Sequence, residues 1–113
     1  MIAADSSGRV LCERCAVADR PLTRLRGLLG RSELPAGDGL LLRPSPSVHT
    51  WFMRFPIDVV FLDADLGVLR VRRNMRPWRM AGQRGARAVL ELAAGEAERR
   101  GISAGDRVHL LTG

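Results

Sequence analysis

The chain has 113 residues, 46% of them apolar and 4% aromatic, which fits one globular domain with its own core and argues against a disordered chain. Its formal net charge is +6, and every basic residue is an Arg. No run approaches the ~18–20 apolar residues that span a bilayer, and two cysteines do not make a secreted disulfide scaffold.

Residues 1–8 are read as a loose start, which leaves 9–113 as a single β domain. The N-terminus has no basic start, apolar stretch or small-residue cleavage site, so the cytoplasm is the expected compartment. Arg9–Cys12 and Cys15–Ala18 read as two short strands flanking Glu13 and Arg14, a strand–turn–strand that puts the cysteines near a hairpin. Asp19 and Pro21 open a helix, and Leu22, Leu25, Leu28 and Leu29 form its apolar stripe. That stripe makes Leu28 a core residue and puts Arg26 on the outer face; Gly30 ends the helix.

Gly39–Leu42 reads as a short buried strand and Val48–Met53 as a strand of bulky residues. Ile57–Leu62 is the strongest strand, apolar and β-branched except for Asp58. The turn at Asp63–Gly67 leads back into Val68–Arg73, so 57–73 reads as a β-hairpin. Alternation puts Val68, Arg70 and Arg72 on one face of the return strand and Leu69 and Val71 on the other. Residues 74–86, with Pro77, Gly82 and Gly85, read as an irregular connection. Ala88–Leu92 is a strand, Gly95–Arg100 a single helical turn, Gly105-Asp106 a turn, and Arg107–Leu111 the closing strand. The sum is a mainly β domain, a small β-sandwich or partly open barrel of about seven or eight short strands with two short helices.

Charge is unevenly distributed. Residues 1–65 hold eight Arg and eight acids, 66–90 hold seven Arg and no acid, and 91–113 hold three Arg and four acids. A GC-rich codon supply accounts for Arg in place of Lys. It does not account for the missing Asp and Glu between 66 and 90.

The order of motifs, Gly27-Leu28-Leu29-Gly30-Arg31, Gly39-Leu40-Leu41-Leu42, Val48–Asp63 with Pro56-Ile57-Asp58-Val59-Val60-Phe61-Leu62-Asp63 at its centre, Val89–Gly95 and Gly105-Asp106, resembles a bacterial and archaeal family, the domain of unknown function 192. The match spans about residues 9–111. The commoner family motif has a longer stretch between its Trp-Met and its Pro-Leu-Asp; here only Arg54-Phe55 separates Met53 from Pro56. The resemblance implies a compact, mostly β fold and no established activity.

Several residues carry candidate chemistry. Asp58 in an apolar strand needs a partner or water; it is a general acid/base with His49 nearby, or a group that bonds backbone amides. Ser45 and Ser47 lack a nucleophile-elbow pattern. Cys12 and Cys15 form a lone Cys-x-x-Cys. Zinc would need His49 and His109 as further ligands, and a redox role would need a helix N-terminus, so two small core residues are the simpler reading and no metal or cofactor is expected. Trp51 and Met53 share a strand face as core, or line a pocket with Arg54 or Asp58 at its rim. Arg70, Arg72, Arg76 and Arg79 are a solvated basic face, or a surface for an anionic ligand or macromolecule; no sequence-specific nucleic-acid motif accompanies them. The leading expectation is a non-catalytic binding module with a basic face. A small enzyme using His49 and Asp58 comes second, and a zinc or redox protein using Cys12 and Cys15 third.

Overall fold

The computed structural model describes residues 1–18, 33–50 and 53–112. These residues form ten strands and one short helix: β1 Ile2–Ala4, β2 Val10–Cys12, β3 Arg14–Ala18, β4 Asp38–Leu42, β5 Ser47–His49, β6 Ile57–Leu62, β7 Val68–Met75, β8 Met80–Gly82, β9 Ala88–Ala93, α1 Glu96–Arg99 and β10 His109–Leu111. The chain is mainly β, as its alternating patterns require. The expected helix from Asp19 to Gly30, with Leu28 and Arg26, lies outside the described residues, as does Trp51.

A five-stranded sheet in the order β3-β4-β9-β6-β7 forms the frame; a three-stranded sheet, β10-β1-β2, and a ribbon, β5-β8, accompany it. The β3–β4 pair is parallel and the other pairs are antiparallel. Among the described residues these sheets have open edges, and none of them closes into a barrel.

The central strands are buried on both faces, and their side chains alternate between two cores. Val60 and Leu62 of β6 and Leu90 and Leu92 of β9 join one cluster with Leu11, Leu41, Ala97 and Ile102. Ile57, Val59 and Phe61 join the other with Val89, Leu42, Val48, Met53 and Met75. The first core lies on the α1 side of the sheet and the second on the opposite side, which the β5-β8 ribbon helps to cover. A strand covered on both sides reads as a continuous apolar run, which is why Ile57–Leu62 stands out.

The structure corrects the sequence reading in five places. Residues 2–4 are not loose: β1 is the middle strand of the three-stranded sheet, with Ala3 and Ala4 buried. Three small or apolar residues are too few to show alternation. The Cys12 and Cys15 strands are not a hairpin, because β2 pairs with β1 and β3 with β4; the chain changes sheets at Glu13. The expected strand Val48–Met53 ends at His49, where the Thr50 carbonyl turns back to accept the Met53 amide at 3.2 Å. The expected irregular stretch 74–86 contains the end of β7 and all of β8. Met80-Ala81-Gly82 has no β-branched residue to announce a strand.

The fifth correction concerns β7. A bulge at Val68–Arg70 places Phe61 opposite Arg70 while Leu62 faces Val68, which breaks the alternation. Val68 and Val71 therefore share the α1-side core, while Leu69 packs on the other. Arg70 and Arg72, opposite Phe61 and Val59, keep a common face, without Val68.

Candidate functional site

β7 is an edge strand of the large sheet, and the basic segment runs from it into β8. Arg70, Arg73, Arg76, Arg79, Arg84 and Arg87 are exposed, and Arg72 is half-buried. None of the seven forms an ion pair among the described residues; the ion pairs there involve Arg9, Arg14, Arg99 and Arg100.

The turn between β7 and β8 is held in shape by one buried residue. Thr50 donates its hydroxyl to the Arg76 carbonyl at 2.6 Å, and the same oxygen accepts the Arg79 amide at 2.9 Å. Its backbone amide donates to the Arg79 carbonyl and its carbonyl accepts the Trp78 amide. Trp78 takes a left-handed φ of 63° there, a conformation uncommon for a bulky side chain. Trp78 and Met80 are 57% and 63% exposed. The segment thus presents Arg76, Trp78 and Arg79 on a loop tied down at several points. Sequence reasoning placed these arginines on the surface but missed Thr50, which reads as an ordinary strand residue.

Asp58 is fully buried on the α1 side and its oxygens are engaged. Oδ1 accepts the Asn74 amide at 2.8 Å, and Oδ2 accepts the Gly95 and Ala97 amides at 3.0 and 2.9 Å. The carboxylate ties β6 to the far end of β7 and to the first turn of α1, the work of a structural anchor. His49 is exposed on β5, opposite Met80 of β8. It lies in a different sheet from Asp58, so the two are not on neighbouring strands. Met53 is buried in the second core, and Arg54 beside it is exposed.

A second buried acid escaped the sequence reading. Glu91 is the middle of β9, opposite Leu40 of β4 and Val59 of β6. It points to the face opposite α1, is 3% exposed, and has no hydrogen-bond or ion-pair partner among the described residues. Burial alone raises its pKa to about 8, because an apolar surround disfavours the charged form. The carboxyl therefore keeps its proton at neutral pH.

Cys12 and Cys15 are buried free thiols. The described residues bring together no group of three His, Cys, Asp or Glu side chains that could hold a metal ion, and His109 instead meets Ser6 at 3.1 Å.

Both the fold and the order of these features match known proteins. The family profile described as Uncharacterized ACR, the domain of unknown function 192, matches residues 2–110. The chain belongs to this family. A UPF0127 protein of Thermococcus sibiricus is 30% identical over 113 residues, covering 96% of this chain and 73% of that one. A crystal structure of a protein of unknown function from Novosphingobium aromaticivorans superposes with a TM-score of 0.83 at 27% identity, covering 96% of this chain and 82% of its own. Another, from Sinorhizobium meliloti 1021, has a TM-score of 0.81 at 26% identity, covering 96% and 89%; it carries a proposed role as a transcription regulator. The family is one of unknown function, so any role for this member rests on its own residues. Among the described residues, no helix is long and apolar enough to cross a membrane.

Proposed function

We propose that this member of the family is a small non-catalytic binding module, acting in the cytoplasm, whose β7–β8 face takes an anionic partner. The observation that carries the reading is the set of seven arginines without an acid among them in sequence and without an ion-pair partner among the described residues. Arg9, Arg14, Arg99 and Arg100 by contrast each meet an Asp or Glu, so an Arg-rich composition alone does not produce this face. Exposed guanidiniums on a turn pinned by Thr50 hold phosphate or carboxylate groups through paired N–H donors, with little ordering left to do on binding.

Such binding is electrostatic and opposed by salt. Single-stranded nucleic acid, followed by fluorescence anisotropy, should bind at low ionic strength and be largely released near physiological salt. Arg70→Glu with Arg76→Glu, both at exposed positions, should abolish binding while leaving the circular dichroism spectrum unchanged. Equal binding by wild type and double variant would remove this face from the reading.

A second reading rests on Glu91. A protonated carboxyl on an apolar sheet face is an O–H donor suited to a small polar ligand, or an acid for proton transfer. It replaces Asp58 in the enzymatic alternative, because Asp58 is already engaged by three backbone amides. Screening small ligands by thermal shift against wild type and Glu91→Gln tests it: a ligand that shifts both proteins equally does not use this carboxyl.

A further inference from the structure

The Cys-x-x-Cys pair lies where the chain passes from the three-stranded sheet to the five-stranded one. Two independent features of the backbone bring its thiols to one place. Cys15 is the direct parallel partner of Gly39 on β4. Cys12 Sγ lies 2.7 Å from where a Cβ on Gly39 would stand, so the missing side chain of Gly39 makes room for that sulfur. Both cysteines thus neighbour the same glycine, although their strands belong to different sheets. Cys12 Sγ also donates to the Gly37 carbonyl at 3.4 Å.

The two sulfurs are not equivalent. Cys12 is wholly enclosed, while Cys15 keeps 3% of its surface. Interaction between the two thiols raises the pKa of Cys12, with burial acting in the same direction, and lowers that of Cys15 against the opposing effect of burial, assisted by the N-terminal charge and the Leu41 backbone. Both cysteines belong to the buried core, and Cys15 is the one better able to ionise, which is what a first nucleophile requires.

We propose that Cys12 and Cys15 are a redox-active dithiol that exchanges with small disulfides, Cys15 attacking first and Cys12 closing the bond. In the first step the Cys15 thiolate attacks one sulfur of R–S–S–R, the Cys15–S–S–R bond forms, and RS⁻ leaves. In the second step Cys12 gives its proton to that leaving thiolate and attacks the Cys15 sulfur. The Cys12–Cys15 bond forms and a second RS⁻ leaves, taking up the proton that Cys15 lost to solvent. The two protein thiols are oxidised and the small disulfide is reduced to two thiols. The product joins β2 to β3 and so staples the crossing between the two sheets. No helix N-terminus is involved, so the device differs from the helix-based Cys-x-x-Cys sites.

The test uses the folded chain and oxidised glutathione, with acid quench, alkylation in denaturant and mass spectrometry. Wild type should lose the mass of two hydrogens and take up no alkylating agent. Cys12→Ser should trap glutathione on Cys15 as a mixed disulfide, and Cys15→Ser should gain an adduct at least about tenfold more slowly, its remaining thiol being enclosed and little ionised. If native wild type keeps both thiols alkylatable, or oxidises only in denaturant, the proposal is overturned. A faster adduct on Cys15→Ser than on Cys12→Ser overturns the assigned order of attack. Should either variant fail to fold, the wild-type mass shift still decides whether the dithiol is active.

Discussion

The α1 corner and the β7–β9 side of the large sheet treat charge in opposite ways. At the α1 corner Glu96, Arg99, Arg100 and Asp58 are all answered. Glu96 accepts both Arg99 and Arg100, with Arg100 continuing to Glu13 at 2.7 Å and to the Val10 carbonyl at 3.1 Å. Asp58 beneath α1 accepts three backbone amides. On the other side Glu91 is buried and protonated without a described partner, and the arginines of β7 and its turn form no ion pair among the described residues. Charges of the first kind hold elements together. The unpaired arginines tie no elements together, and so they are where binding is to be sought.

Removing the Asp58 carboxylate should have the largest effect. Asp58→Ala strands the Asn74, Gly95 and Ala97 amides, two of them at the start of α1, and should cost about 3–5 kcal/mol, since buried donors left without an acceptor carry their full desolvation penalty. Urea denaturation followed by circular dichroism measures it. Asp58→Asn keeps the shape but puts an amide donor toward some of those N–H groups, so it should fall between wild type and Ala. A loss under 1 kcal/mol for Ala would erase the distinction between the two sides.

Glu91 should act in the reverse sense. Its folded pKa of about 8 lies above the ordinary 4.5, so the folded state holds a proton that the unfolded chain releases. Stability from this group is complete below pH 4.5 and is lost as pH rises toward 8, with a limiting slope of about 1.4 kcal/mol per pH unit. Glu96, held at about 2 by its hydrogen bond to Arg99 and by the nearby charge of Arg100, works oppositely: its contribution is complete above pH 4.5 and lost as pH falls toward 2. Glu91→Gln should flatten the decline between pH 5 and 8 and leave the acid limb in place. A decline of the same slope in Glu91→Gln would assign the pH dependence to another group.

These two acids also mark how far the sequence could be read. Asp58 interrupts the β-branched run Ile57–Leu62 and is conspicuous, so its role as a backbone anchor could be weighed in advance. Glu91, flanked by Leu90 and Leu92, looks like the polar position of a strand with one wet face. Only the second core, assembled from Val48, Met53, Met75 and Ala81 across long separations, makes its position dry. The β6–β7 hairpin and α1 were legible because their signals are local: apolar alternation, the turn at Asp63–Gly67, and Gly95. The β3–β4 parallel pair, the place of β1 and the meeting of Cys12 with Cys15 over Gly39 are products of topology, which residue patterns do not encode. The acid-free stretch 66–90 was fully legible, but the hold of Thr50 on its turn was not.

The smallest effects should distinguish the two sets of arginines by sign. Arg99→Ala removes a partner of Glu96, but Arg99 is 62% exposed at its side chain, so the pair is well screened and the loss should be small. Arg70→Ala removes a cation from a stretch of sequence with no acid in a chain of net charge +6, relieving like-charge repulsion; stability should stay level or rise by about 0.5 kcal/mol or less. Salt separates the two more sharply than the magnitudes do. Raising ionic strength screens attraction at α1 and repulsion along β7 alike. The difference between Arg99→Ala and wild type should therefore shrink with salt from below, and that of Arg70→Ala from above. Chemical denaturation with urea, which adds no charge of its own, at low and high sodium chloride measures both. If Arg70→Ala is destabilising and its deficit shrinks with salt, then Arg70 has a favourable electrostatic partner in the folded chain, and the β7 side is built like the α1 corner.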